Sequence, residues 1–574
     1  MEYFTLALAL LLPWMGGYLL LTGLEGRFGP GAVSLRQAGL GLLLGYAALH
    51  GIVTLYDALT GTVTFWPILS VVVLCSIPGA VLFCKRDKAG PVVRDDPDAG
   101  SSSQLLRALF WVLAAWTALH LVLVAVEIAW RPAFPWDAWT SWLYRAKAWF
   151  YAGALIPIDE PGAWVEGIRT ALYNAPGGSY PGFTSVMALW PALALGQWQD
   201  SLVNFPVLLA GIAMAMAFYG QCREAALPPW MAMLGSYLLV STPLVGTHLS
   251  LGGMADIWMT GFVGLGLVEI IAGTVRGNRY KLALGFCLVA LALAVKNEGV
   301  VWLVAAVLFW GMTRWPRPVA VTFLLGFAVV GIAALAGIHS VDLPGLGKVG
   351  VVGDRLYLPL LGDTGLVRLE LWDDYLANFI QSDSWHLLWL LLLVAVFALL
   401  FSGPGAPRRA LFSIVILVLG MQLAIFQFTE HGRWAEQWTA INRIPLHVVP
   451  ALLFALLLGA RHLHTLWVQR NERATWRVHW TIAPLLGLVV TTAGLLWYLG
   501  ASQPAVDREP VTFRGGDLEI VAGAGDRRGE GDGIRVTGFQ NGVAVLSSGR
   551  VWLDPSKLSI LQIRMGNDEE LPRR

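Results

Sequence analysis

Four short stretches place ionisable residues at the edges of long apolar runs, where a charge is costly and therefore marks a candidate site. Pro135-Trp136-Asp137-Ala138-Trp139 leads into a segment carrying Tyr144, Arg145 and Lys147. Gly252-Gly253-Met254-Ala255-Asp256 opens another apolar run, and its paired glycines permit close backbone approach. Lys296-Asn297-Glu298-Gly299 interrupts a third, and Asn442-Arg443-Ile444-Pro445-Leu446-His447 precedes a fourth. A carboxylate such as Asp137 or Asp256 can serve as general base toward a hydroxyl, or the two can share a divalent cation. The fork of Arg443 suits a phosphate, with Lys296 as a second positive charge. Each group also has a plainer role: Asp137 and Asp256 as helix N-caps, Lys296 and Glu298 as a self-neutralising pair, Arg443 as a snorkelling end residue.

The elements that must position these groups are membrane helices. Of the 574 residues 56% are hydrophobic and 13% charged, against about 25% charged in a soluble domain. The apolar residues come in runs of roughly 18 or more, enough to cross a bilayer. About fourteen such runs are expected, the last at 480–500. The first, Tyr3 to Leu24, lacks a basic leader and a small-residue cleavage site, so it reads as a retained helix. A net charge of +1 gives no general attraction to nucleic acid. Cys75, Cys84, Cys222 and Cys287 lack metal-ligand spacing and read as packing residues. There is no Walker loop or dinucleotide fingerprint.

Basic residues recur in every second loop: Arg27 and Arg36, Lys85 to Arg94, Arg223, Arg276 to Lys281, Arg314 and Arg317, Arg408 and Arg409, then Arg461 onward. That phase predicts a cytoplasmic face. The opposite face then holds three long loops, 131–200, 338–384 and 429–445, and the C-terminal segment. These loops are rich in Trp, with 136–152 and 365–381 expected as helices lying along the interface. The expected organisation is a three-helix unit at 1–90, a cytoplasmic linker at 91–104, the main membrane domain at 105–500 and a β-rich outer domain at 501–574. The fold class expected is thus an all-α polytopic membrane protein with a small β-rich C-terminal extracytoplasmic domain.

Taken in chain order, these features resemble the GT-C fold family of membrane glycosyltransferases, relatives of protein O-mannosyltransferases and bacterial lipid A aminoarabinose transferases. The resemblance runs over about residues 105–460: an acid opening a long outer loop (Asp137), a Tyr-Pro element (Ser179-Tyr180-Pro181-Gly182-Phe183), an acid at an outer helix start (Asp256), the Lys296–Gly299 turn, and Arg443 before a late helix. It implies that Asp137 is the base deprotonating the acceptor and that Asp256 organises the site or a metal. Arg443 and Lys296 would hold the phosphate of a polyprenyl-phosphate sugar. Tyr180 would line the donor cavity, with Tyr144, Arg145, Lys147, Glu298, Asn442 and His447 around it. The implied reaction is inverting transfer to an extracytoplasmic glycan, lipid or protein, in a bacterial inner membrane with the C-terminal domain periplasmic. Three departures stand out. Asp137 is not part of an acidic pair, which bears on metal dependence; Gly182 replaces a second proline; and the N-terminal helices and the tail exceed the simplest members. A lipid-linked glycan ligase or polymerase is a close alternative. A transporter or flippase is a more distant one, and the internal repeats common in that class are not visible here.

Overall fold

The computed structural model describes residues 2–28, 34–86, 104–159, 172–173, 180–344, 347–358, 362–400, 405–471, 518–522, 526–530, 533–537 and 545–548. The run expected at 480–500, the linker up to residue 103 and most of 501–574 lie outside them. The chain divides into two compact units: residues 1–157 with 174–503, and 158–173 with 504–574.

The first unit is helical. Eight helices among the described residues are long and apolar enough to cross a membrane: Glu2–Gly26, Leu35–Thr60, Phe65–Cys84, Gln104–Trp130, Leu202–Glu224, Asp256–Arg276, Ala406–Gln427 and Val449–Val468. A ninth arises if Pro229–Ser241 and Pro243–Ser250, bent by 58° at Thr242, count as one span; Pro243 lacks the N–H that would continue the ladder. This makes the protein a helical membrane protein; of the fourteen runs expected, eight or nine form such spans among the described residues. Several of the other runs do form helices, at Arg279–Leu291, Gly299–Arg314 and Leu388–Leu400, but these are shorter than the ~20 residues a crossing needs. The loop expected at 131–200 also contains an apolar helix, Phe183–Leu195, whose Trp190 is fully buried.

Small residues set the packing, as they do where lipid removes the hydrophobic drive between helices. A Cβ on Gly17 would lie 2.0 Å from the carbonyl oxygen of Gly41, and one on Gly39 would lie 2.2 Å from that of Ala213. The N-terminal hairpin is therefore fitted to helix Phe205–Glu224 at backbone distance. The basic loops gather at one end of the bundle, where Arg461 donates to Ala225 O and Arg409 to Thr313 O. The candidate acids lie at the other end, along with the Thr60–Val63 turn, whose Val63 N–H bonds to Gly153 O.

Between residues 340 and 365 the expected outer loop forms a four-stranded antiparallel meander, Ser340–Leu343, Gly347–Val352, Arg355–Leu358 and Gly362–Gly365, pairing Val341 with Val349 and Tyr357 with Asp363. A short helix, Trp372–Leu376, and a π-helical turn, Ala377–Gln381, follow it. In the second unit Leu518–Ala522 pairs with Val545–Ser548 and Asp526–Glu530 with Gly533–Thr537, both antiparallel, while Ile158–Asp159 pairs in parallel with Leu172–Tyr173. The rest of the β-rich domain expected at 501–574 lies outside the described residues.

Candidate functional site

Asp256 opens a buried helix, and its side chain is completely enclosed. It does not cap the helix: both carboxylate oxygens are taken by side chains from elsewhere. Oδ2 accepts from Arg443 Nη2 at 2.6 Å and Nε at 3.2 Å, and Oδ1 accepts from Lys296 Nζ at 3.3 Å and His447 Nε2 at 3.0 Å. Asp137, directly before a π-helical turn at Ala138–Trp142, makes no capping bond either, and pairs with Arg443 Nη2 at 2.7 Å. One guanidinium therefore joins the two carboxylates singled out in the sequence.

The backbone explains how the two acids come together. Gly252 and Gly253 both have positive φ, +63° and +62°, a region that favours glycine. A Cβ on Gly253 would lie 2.7 Å from Ala138 Cβ, and one on Gly252 would lie 2.6 Å from Asn204 Cγ. Only a turn without side chains lets the Asp137 segment approach the start of the Asp256 helix this closely. That helix then passes through a second π-helical turn, Thr260–Gly264, a feature often found at functional sites.

His447 is fixed in one tautomer. The indole N–H of Trp302 reaches His447 Nδ1 at 3.0 Å. An indole can only donate, so Nδ1 accepts and Nε2 carries the proton given to Asp256. Burial pushes His447 below its ordinary pKa, with the bond to Asp256 opposing. For Lys296, burial works against the charge, but Asp256 and Glu298 outweigh it and raise its pKa. Arg443 is likewise raised, burial being overcome by the two aspartates. The Lys296–Glu298 pair exists at 3.5 Å, yet Lys296 also serves Asp256.

The other candidates fall into two groups. Tyr180 OH lies 3.5 Å from Glu298 Oε1, and its ring sits 5.9 Å from Lys296 Nζ. Glu298 Oε2 and Asn442 Oδ1 are buried and have no hydrogen-bond partner among the described residues, which leaves them able to receive a donor. By contrast, Arg145 is committed to structure: it donates to Ser185 Oγ, Tyr180 O and Pro181 O at 2.9, 2.8 and 2.6 Å, holding the Tyr-Pro element in place. Lys147 pairs with Asp200 at 3.9 Å beside the Trp198 ring, and Tyr144 is partly exposed; neither bonds to the charged cluster. Among the described residues no group of three or more His, Cys, Asp or Glu side chains is placed to hold a metal; the two aspartates, for which a shared cation was one of the roles open, are bridged by Arg443.

A second cluster lies at the basic end and is absent from the sequence reading. Arg36, expected as a loop charge, is buried; Nε and Nη2 donate to Glu269 at 2.7 and 3.1 Å, and Nη1 donates to Glu25 at 2.7 Å. Lys281 reaches Glu224 at 2.5 Å and Glu269 at 3.4 Å, and Gln221 and Gln37 complete the network. The signal was Glu269, an acid deep inside an apolar run, which needs a partner. Glu269 and Asp256 belong to the same continuous span.

No family model and no solved structure matches the chain. It is similar to a chloramphenicol resistance protein of Pseudomonas aeruginosa, 26% identical over 257 residues, covering 41% of this chain and 57% of that protein. The chain thus matches somewhat more than half the length of that relative.

Proposed function

We propose that this protein is a membrane glycosyltransferase of the GT-C type, moving a sugar from a polyprenyl-phosphate donor to an extracytoplasmic acceptor. The observation that carries this reading is the bridge Asp137–Arg443–Asp256, with Lys296 beside it. It brings together a partly accessible carboxylate, two cations and a buried acid that orients them.

The chemistry follows from the charges. A donor phosphate, a phosphodiester with one negative charge, entering beside Lys296 competes with Asp137 for the Arg443 fork, which can hold two phosphate oxygens at once. Asp137 is then released, while Asp256 stays held by Lys296 and His447. Asp137 takes the proton of the acceptor hydroxyl, whose oxygen bonds to the anomeric carbon as the carbon–oxygen bond to phosphate breaks. The electron pair leaves on the phosphate oxygen, where Arg443 and Lys296 stabilise the developing charge. Tyr180 and Glu298 line the approach. A bacterial inner membrane with the site and the C-terminal unit on the periplasmic side fits the charge phase of the loops.

A transporter or flippase is the second reading. It is favoured by the bent pair Pro229–Ser250 and by the buried Arg36 network, since broken helices and intramembrane charges are common in that class. The name of the partial relative fits it too, because drug resistance can arise by export.

The deciding experiment is transfer of radiolabelled sugar from polyprenyl-phosphate donors into a membrane extract by wild type, Asp137→Asn and Arg443→Ala. Transfer by wild type that is lost in both variants supports the enzyme. Donor movement across vesicles without transfer supports the transporter.

A further inference from the structure

Trp302 is fully buried on the helix Gly299–Arg314 and stands one residue back from the charged cluster. Its indole N–H meets His447 Nδ1 at 3.0 Å, and His447 Nε2 meets Asp256 Oδ1 at 3.0 Å. Both ring nitrogens face polar atoms, so a flipped ring, turning carbon toward Trp302 and Asp256, would give up both bonds. The backbone behind the ring is held too. Thr260 Oγ1 donates to Leu446 O at 3.2 Å, and a Cβ on Gly264 would lie 2.9 Å from His447 O. The span that Asp256 begins is thus packed directly against the segment carrying His447.

The bond from Trp302 limits the chemistry of the ring, because an indole can only donate. A proton on His447 Nδ1 would set donor against donor and strand the indole N–H in a buried place, which is costly. That holds for the charged ring and for the other neutral tautomer, which would also turn a lone pair toward Asp256. A neutral ring with its proton on Nε2 satisfies both ends. The titratable groups around it are Asp256, Lys296 and Glu298, with His248 on the Pro243–Ser250 helix; Arg443, on the same short segment, shares Asp256 with it.

We propose that Trp302 is a positioning residue of this site: by blocking Nδ1 it keeps His447 a neutral donor to Asp256, so that Asp256 stays in place when a substrate anion takes Arg443. The role in turnover rests on the glycosyl-transfer reading, whereas the state of the ring does not. Without the indole N–H, Nδ1 is open to a proton. A charged His447 then competes with Arg443 and Lys296 for Asp256, and the two cations lose their orientation toward the substrate as pH falls.

Three forms of the full chain test this: wild type, Trp302→Phe, and Trp302→Phe combined with His447→Gln. The phenyl ring fills most of the space without the donor, and the glutamine amide donates to Asp256 without titrating. With nitrogen-15-labelled histidine, the His447 signals are those that His447→Gln removes. Wild type should show a bare Nδ1 and a protonated Nε2 between pH 8 and 6; an imidazolium, or a proton on Nδ1, overturns the proposal whatever the protein's activity, and also if Trp302→Phe does not fold. In Trp302→Phe the ring should take up a proton at higher pH than in wild type. As it does, kcat for sugar transfer should fall about tenfold, the worth of one buried hydrogen bond, with the donor KM held. The double variant should lose that pH dependence. A loss that is uniform at every pH, or an acid limb that persists without His447, makes Trp302 a packing residue only and overturns the proposal. If wild type moves no sugar, the glycosyl-transfer reading fails by itself, and the spectra of wild type and Trp302→Phe decide the state of the ring.

Discussion

Arg443 holds Asp137 and Asp256 with the same nitrogen, at 2.7 and 2.6 Å, although the two acids are separated by 119 positions in the chain. Their surroundings differ: the Asp256 side chain is fully enclosed, while that of Asp137 is 34% exposed. The two acids should therefore respond differently to the same substitution. Asp137→Asn should leave the thermal midpoint nearly unchanged, because a partly exposed pair is worth little, while cutting sugar transfer by about 100-fold or more as the base is lost. Transfer at the wild-type rate would remove Asp137 from the mechanism.

Asp256→Asn should instead be a folding defect. It leaves Arg443 and Lys296 facing an amide in a buried place, a change costing about 3 kcal/mol or more. The yield of monodisperse protein in detergent should collapse, and Asp256→Glu should restore part of it.

Acid should loosen the site through His447. Its folded pKa lies below its ordinary value because burial disfavours the charged ring. The unfolded ring, with a pKa near 6.5, therefore binds a proton first as pH falls. The stability held above about pH 6.5 is lost as pH drops toward the lower folded value. Melting curves from pH 7.5 to 5 should show Tm falling, and His447→Gln, which keeps a donor for Asp256, should flatten part of that fall.

Gly253→Ala tests the close approach. The new Cβ would meet Ala138 Cβ at 2.7 Å and impose a positive φ on alanine, costing about 1–2 kcal/mol. Transfer should fall more than stability does, because the substitution pushes the Asp137 segment away from Arg443. Equal activity and Tm would show that the turn has slack.

At the other end, Glu269→Gln should cost about 3 kcal/mol by leaving Arg36 and Lys281 undercompensated. Pairing it with Arg36→Met should recover much of that loss, since replacing both members of a buried pair is milder than breaking it. A thermal double-mutant cycle measures the coupling.

How much of this was legible before folding can be argued residue by residue. Apolar runs and interrupted charge are local properties, so the chain alone announced a helical membrane protein and marked Asp137, Asp256, Lys296, Arg443 and His447. Their types limited them to acid–base and anion chemistry. Spacing cannot say which partner each side chain finds. It offered capping for Asp137 and Asp256, whereas tertiary packing gave both to Arg443. It offered Arg145 to the cavity, whereas packing spent it on the carbonyls of Tyr180 and Pro181. The Trp302 bond that sets the tautomer of His447 joins residues 145 positions apart. Arg36 read as a loop charge because its partner Glu269 lies 233 positions away. Hydropathy is summed along the chain, but ion pairs and close glycine contacts are formed across it, and only the packed structure decides those.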